Sequence, residues 1–202
     1  MRCRTLLAIV TMLAMMATAS CADTMAELKA GMDKVASEFH GTLGSHGFKQ
    51  TRLLNGKKCD ELGLRPLQRK WGLGMTTPNE MARLLELIRD GKAGSPASCD
   101  RMMRLLSHQY WDDYIASQVP PMRAANKTGA IDGSRSDVAI VTAPAGEFVF
   151  AVYTKGQADE SWSKANEGDR VIRTLAEIVW RHFDPEKTWA PPPGALDLLP
   201  SE

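Results

Sequence analysis

The sequence has few histidines, little aromatic surface and no excess of charge, and each shortage excludes a class of function. Its four histidines, His40, His46, His108 and His182, form no ligand-spaced pair with cysteines or carboxylates, so no metal site is expected. Twenty-five Lys and Arg face 24 Asp and Glu, a formal charge of +1. Without a basic excess or a basic stripe, nucleic acid is not expected as a partner. No cofactor is expected either. The one long apolar run, Leu6 to Met16, is too short to cross a bilayer comfortably.

What remains is the composition of an ordinary globular chain, 44% apolar and 24% charged over 202 residues, enough for one domain. Residues 1–21 differ from the rest. Arg2 and Arg4 precede the apolar run, and Ala17-Thr18-Ala19 follows it, the order of a secretory signal. Thr18-Ala19-Ser20-Cys21 also resembles a lipoprotein box, which would make Cys21 a lipid anchor. Cys59 and Cys99 then remain in the body of the protein, either bridged after export or as two separately buried thiols.

Along the chain, Leu28, Met32, Val35 and Phe39 give a helical period from Thr24 to about Phe39, which Gly41, Gly44 and Gly47 are expected to break. Residues 48–76 show no clear period and read as a long loop. Thr77 can cap a helix, Pro78 suits its first position, and Glu80 can close a capping box. Met81, Leu84, Leu85 and Ile88 follow on one face, and Gly91 stops the helix. Ser95-Pro96 starts another, with Cys99, Met102, Met103 and Leu106 as its core stripe. Strands are predicted over Ala124–Ile131, Val138–Thr142 and Glu147–Thr154, closely spaced enough for an antiparallel meander. A last helix from about Asn166 to Phe183 would bury Ile172, Leu175, Val179 and Phe183, and the tail around Pro191-Pro192-Pro193 is expected to be disordered.

Lys127-Thr128-Gly129 on the first of these strands is followed by Gly133-Ser134-Arg135, then Asp137, two further strands and the long helix. Upstream stand Trp71-Gly72-Leu73-Gly74 and the helix opened by Thr76-Thr77-Pro78. This order resembles the class A serine β-lactamases and their penicillin-binding relatives, clearly from Thr76 to Phe183. It is weaker over Gly31-Met32-Asp33-Lys34-Val35 and Gly47-Phe48-Lys49-Gln50-Thr51-Arg52-Leu53. The resemblance implies an α/β (α+β) fold, a β-lactamase/transpeptidase-like architecture that is incomplete here, with a three-stranded meander packed by helices. The family-like domain is expected over 22–186, between the leader read at 1–21 and the tail at 187–202. The leader has a second reading under the same resemblance: Leu6-Leu7-Ala8-Ile9-Val10 and Met15-Met16-Ala17 could be a remnant of the helix that leads to the family's Ser-Asp-Asn motif, which would place the protein in the cytoplasm.

The resemblance also implies a site for a carboxylate-bearing β-lactam or cell-wall peptide. Lys127 would supply positive charge, Thr128 a hydroxyl, Gly129 room, Arg135 a planar fork for the carboxylate, and the backbone near Ala130 part of an oxyanion hole. Glu61, in Glu61-Leu62-Gly63-Leu64-Arg65, stands where a deacylating glutamate would, although Arg65 replaces the expected Asn. The nucleophile is missing. A Ser-x-x-Lys at a helix start brings the amine to the hydroxyl, but the chain's one such sequence, Ser161-Trp162-Ser163-Lys164, falls after the last strand, and no Ser-Asp-Asn occurs. The expectation is therefore a β-lactamase-family serine hydrolase that is inactive or truncated. The alternative is an exported binding module, periplasmic or envelope-attached. The strand Glu147–Thr154 is expected to keep an unpaired edge through which the protein could self-associate.

Overall fold

The computed structural model describes residues 22–198, so residues 1–21, where a leader and the Cys21 anchor are expected, and the last four residues lie outside the described part. Helix α1 (Ala22–Ser45) runs through Gly41 and Gly44, where a break was expected, and stops before Gly47, whose φ of 74° reverses the chain. A mid-helix glycine costs only about 1 kcal/mol, and burial of Ala36 and Leu43 on either side outweighs it. The side chains of Leu28, Met32 and Val35 lie outside the described set.

Residues 48–76 are not a structureless loop. They form β1 (Arg52–Leu53), α2 (Gly56–Glu61), α3 (Arg65–Trp71) and β2 (Gly74–Met75), and β1 and β2 close the segment as an antiparallel pair. These elements are too short to leave a hydrophobic period in the sequence. Cys59 is fully buried here and Cys99 is buried elsewhere; both are free thiols, so the bridge is not formed.

Helix α4 (Pro78–Arg89) begins as predicted, with the Thr77 hydroxyl accepting from the Glu80 N–H at 3.3 Å. The Glu80 carboxylate does not turn back to close a box. It reaches across to residues 49–51, accepting from the N–H groups of Lys49 (2.7 Å), Gln50 (3.0 Å) and Thr51 (2.6 Å) and from the Thr51 hydroxyl (2.5 Å). One side chain thus pins the start of the β1–β2 segment to α4.

Helix α5 (Pro96–Leu106) follows, capped by Ser95, and buries Cys99, Met102 and Leu106. Burial of a side chain of this size is worth roughly 1.5–3 kcal/mol. The meander comprises β3 (Ala124–Ile131), β4 (Ser134–Ala143) and β5 (Gly146–Tyr153), in the order β3-β4-β5. The second strand is twice the predicted length because its first half carries Ser134, Arg135, Ser136 and Asp137, which hide the strand from a hydrophobicity pattern.

The two faces of this sheet bury two separate cores. Ala125, Val138, Ile140, Val149, Ala151 and Tyr153 pack toward α4 and α5. Ala124, Ala139, Val141, Phe148, Phe150 and Val152 pack toward α6 (Glu167–Phe183), which buries Ile172, Ala176 and Trp180. The buried face of α6 is rotated from the predicted one. Leu175 is exposed, while Gly168, Asp169 and Arg173 are buried, because the helix sits on a polar patch of the sheet. The segment beyond α6 is anchored at its start: Thr188 and Trp189 bond the Asp184 carboxylate, and the Trp189 ring meets Trp180 edge-on at 6.3 Å.

Candidate functional site

Register places each candidate group. Lys127 pairs with Val138, Thr128 with Asp137, Gly129 with Ser136 and Ala130 with Arg135. Side chains alternate along a strand, so Lys127, Gly129 and Ser136 share the α4/α5 face with Val138 and Tyr153. Thr128, Arg135 and Asp137 share the α6 face. Lys127 and Arg135, expected to converge on one carboxylate, stand on opposite sides of the sheet.

Arg135 is 1% exposed and its guanidinium is engaged on every nitrogen. Nε lies 3.1 Å from Asp169 Oδ1 on α6, an ionic contact out of line for a hydrogen bond. One terminal nitrogen donates to the Ile131, Asp132 and Ser134 carbonyls and the other to the Ser161 carbonyl at 2.7 Å. The Trp162 ring covers it, 5.0 Å from centroid to guanidinium. Gly168 makes this packing possible, since a Cβ there would stand 3.0 Å from Arg135 Cγ and collide with Gln157 Oε1. In this arrangement Arg135 ties β4 to α6 and the loop before it, and offers no donor to a ligand.

The free edge of β3 is where the remaining groups meet. The Thr142 N–H donates to the Arg123 carbonyl at 2.9 Å, which sets the alternation of the ladder. Lys127, Gly129 and Ile131 then point their backbone groups at β4, and Thr128 and Ala130 point theirs away from the sheet. No described strand pairs with that edge. Lys127 Nζ lies against it, donating to the Thr128 carbonyl at 2.9 Å. Half-burial lowers the Lys127 pKa from its ordinary value, and the Asp137 carboxylate partly offsets this. Gly129 leaves room for the Ser136 side chain: a Cβ would stand 2.8 Å from Ser136 Oγ, whose hydroxyl donates to the Gly129 carbonyl at 3.2 Å. One ammonium and the outward N–H groups of Thr128 and Ala130 suit a flat anionic or carbonyl-bearing ligand.

Behind this edge lies a residue whose role the sequence does not announce. Asp137 is fully buried, its Oδ2 accepting from the Ile115 N–H at 2.9 Å and its Oδ1 making no regular hydrogen bond. Burial raises its pKa to about 7, against the pull of the Ile115 N–H, the neighbouring Asn126 amide, the Val138 N–H and Lys127. The only sign in the sequence is an acid placed directly before the apolar run Val138–Val141.

Glu61 ends α2 on an exposed surface, its carboxylate 4.0 Å from Lys57. Arg65, which stands where Asn would be expected, is bound to the Asp60 carboxylate and to Gln68. Ser161-x-x-Lys164 lies in the loop between β5 and α6, not on a helix; the Ser161 carbonyl accepts from Arg135 and the Lys164 carbonyl from Arg173. The Lys amine is therefore not carried back over the serine by a helical turn.

The model of the beta-lactamase enzyme family matches residues 12–183, starting within the run read as a leader. No curated protein matches the chain. Among solved structures, a β-lactamase from Sphaerobacter thermophilus is 23% identical, with 73% of this chain covering 53% of that one at a TM-score of 0.59. A mutant of PBP-A, solved as an acyl-enzyme complex with penicillin G, is 21% identical, with 73% covering 51% at 0.59. A class A β-lactamase representative from Bacteroides cellulosilyticus is 20% identical, with 72% covering 53% at 0.56. The chain shares their fold and spans about half their length.

Proposed function

The chain belongs to the beta-lactamase enzyme family, and from that premise we propose that it presents the ligand-binding wall of a β-lactamase-type site and holds its ligand without acylation. The ligand is a β-lactam or a cell-wall peptide, laid along the free edge of β3. Lys127 supplies the charge for its carboxylate, and the outward N–H of Ala130 meets its carbonyl. Thr128 and Gly129 complete the wall. Arg135 acts only by fixing β4 behind it.

The observation that carries this reading is the pairing of an open, lysine-bearing β3 edge with a Ser-x-x-Lys that sits in a loop with its carbonyls committed to arginines. A hydrolytic reading is favoured by family membership itself: acyl-serine chemistry at this edge, given a serine from outside this sequence, with Glu61 helping to resolve the acyl-enzyme. Export to the periplasm or envelope, with Cys21 as an anchor, fits the Arg2, Arg4 and Leu6–Met16 pattern. Among the described residues no helix is long and apolar enough to cross a membrane.

Incubation with a fluorescent penicillin followed by denaturing electrophoresis separates the two readings. We expect no labelled band, together with a rise in melting temperature in the presence of an unlabelled penicillin. A covalently labelled band would overturn the non-acylating reading.

A further inference from the structure

Asp137 is fully buried on the α6 side of β4, directly across from Thr128 in the register. Its Oδ2 accepts from the Ile115 N–H at 2.9 Å. Its Oδ1 and the amide nitrogen of the neighbouring Asn126, itself 1% exposed, make no regular hydrogen bond. An ionised carboxylate so placed is poorly solvated and depends on charge nearby. The strands supply that charge from Lys127 on β3, while burial keeps Tyr153 on β5 neutral. The charged groups of the layer covering this face are taken up with one another. Arg135 and Asp169 form the buried pair, Tyr114 bonds Asp169, and Arg173 donates to the Asp113 and Lys164 carbonyls. Asp112 and Asp113, just before Tyr114 and Ile115, are acids and do nothing to hold Asp137 ionised. The cation that acts on Asp137 is the one that faces the ligand edge.

We infer that Asp137 takes up a proton from solvent when an anionic ligand settles on Lys127, so that the site holds such a ligand more tightly while Asp137 is protonated. The inference rests on the reading of the β3 edge as the ligand wall. A ligand carboxylate at Lys127 Nζ cancels the charge that favours ionised Asp137. It also brings a second negative charge to the other side of the same two strands. Linkage makes the effect mutual: a ligand that favours the proton on Asp137 must bind more weakly once that proton is lost. Burial already holds Asp137 at about 7, which places the exchange in the physiological range. Asp137 touches no ligand in this arrangement and acts only through the charge of Lys127.

The test is isothermal titration of the full chain with a penicillin, whose carboxylate stays ionised throughout, in buffers of different ionisation heat from about pH 5.5 to about 8.5. We expect net proton uptake that peaks near neutrality, and an affinity about fivefold lower at the upper end of the range. Asp137→Asn, folded by circular dichroism, should take up no proton and bind equally well at every pH. Uptake that persists in Asp137→Asn belongs to Lys127 itself and overturns the inference, as does a parent affinity indifferent to pH. A second arm needs no ligand: the Asp137 carboxyl is followed by carbon-13 NMR in the parent and in Lys127→Met. Loss of the cation should move the Asp137 titration to higher pH, and an unmoved titration overturns the inference. This arm also decides the matter if Asp137→Asn does not fold. No binding heat at any pH sinks the ligand reading instead, and the carboxyl titration then judges the coupling of Asp137 to Lys127 on its own.

Discussion

Arg135 Nε and Asp169 Oδ1 stand 3.1 Å apart with side chains 1% and 7% exposed, joining the second strand of the meander to the first turn of the last helix. Removing one member of such a pair strands the other in a poor solvent. Arg135→Met should therefore cost about 3–5 kcal/mol of unfolding free energy in urea titration. Arg135→Lys should recover little of it, since an ammonium cannot serve the carbonyls of Ile131, Ser134 and Ser161 together. If Arg135 instead met the ligand, Arg135→Lys would lower penicillin affinity while leaving stability nearly intact.

Gly168→Ala tests the same junction from the helix side. The added methyl would stand 3.0 Å from Arg135 Cγ and collide with Gln157 Oε1. Overpacking of this kind costs about 1–3 kcal/mol. A thermal melt should show a clear loss, although alanine is the better helix former.

Two carboxylates give the stability–pH curve opposite slopes. Burial alone would raise Glu80, but the Thr51 hydroxyl and the N–H groups of Lys49, Gln50 and Thr51 hold it at about 2. Its contribution is complete above its ordinary value near 4.5 and is lost as pH falls toward 2. Asp137, raised to about 7 from 3.8, is the reverse case. The folded protein keeps its proton where the unfolded chain has lost it, so stability falls as pH rises from about 4 to 7 and levels off above. Denaturation across pH 2–8 should show a maximum between the two limbs. Asp137→Asn should flatten the upper limb, and Glu80→Gln the lower one.

Lys127→Ala should leave the fold intact, because the side chain is half-buried at a strand edge and pairs with no carboxylate at close range. It should weaken penicillin binding by about tenfold or more, in keeping with a charge-assisted contact of roughly 1.5–3 kcal/mol. Isothermal titration checks this. Equal affinity in the variant would remove Lys127 from the binding wall.

The sequence carried the helices opened by Thr77 and Ser95 because a cap and a 3.6-residue period mark them twice over. The meander was legible from short apolar runs and tight turns. The β1–β2 segment was not, since a two-residue ladder has no periodicity to detect. The tripeptide Lys127-Thr128-Gly129 located the candidate site, but the placement of Arg135 depended on the register of β4, which no local pattern fixes. The spacing of Glu80 from Thr77 marks a local cap, whereas its actual partners lie about thirty positions upstream, beyond any local pattern.

The hairpin between Ile131 and Ser134 turns in only two residues, Asp132 and Gly133. That brevity acts as a reading frame. A slip of β3 by one position would leave the composition and net charge unchanged, yet it would move Lys127 to the side of α6 and turn the Ala130 N–H inward. What the chain inherits at this edge is therefore a phase as much as a set of residues, and a change in the turn that alters no charged group could still erase it.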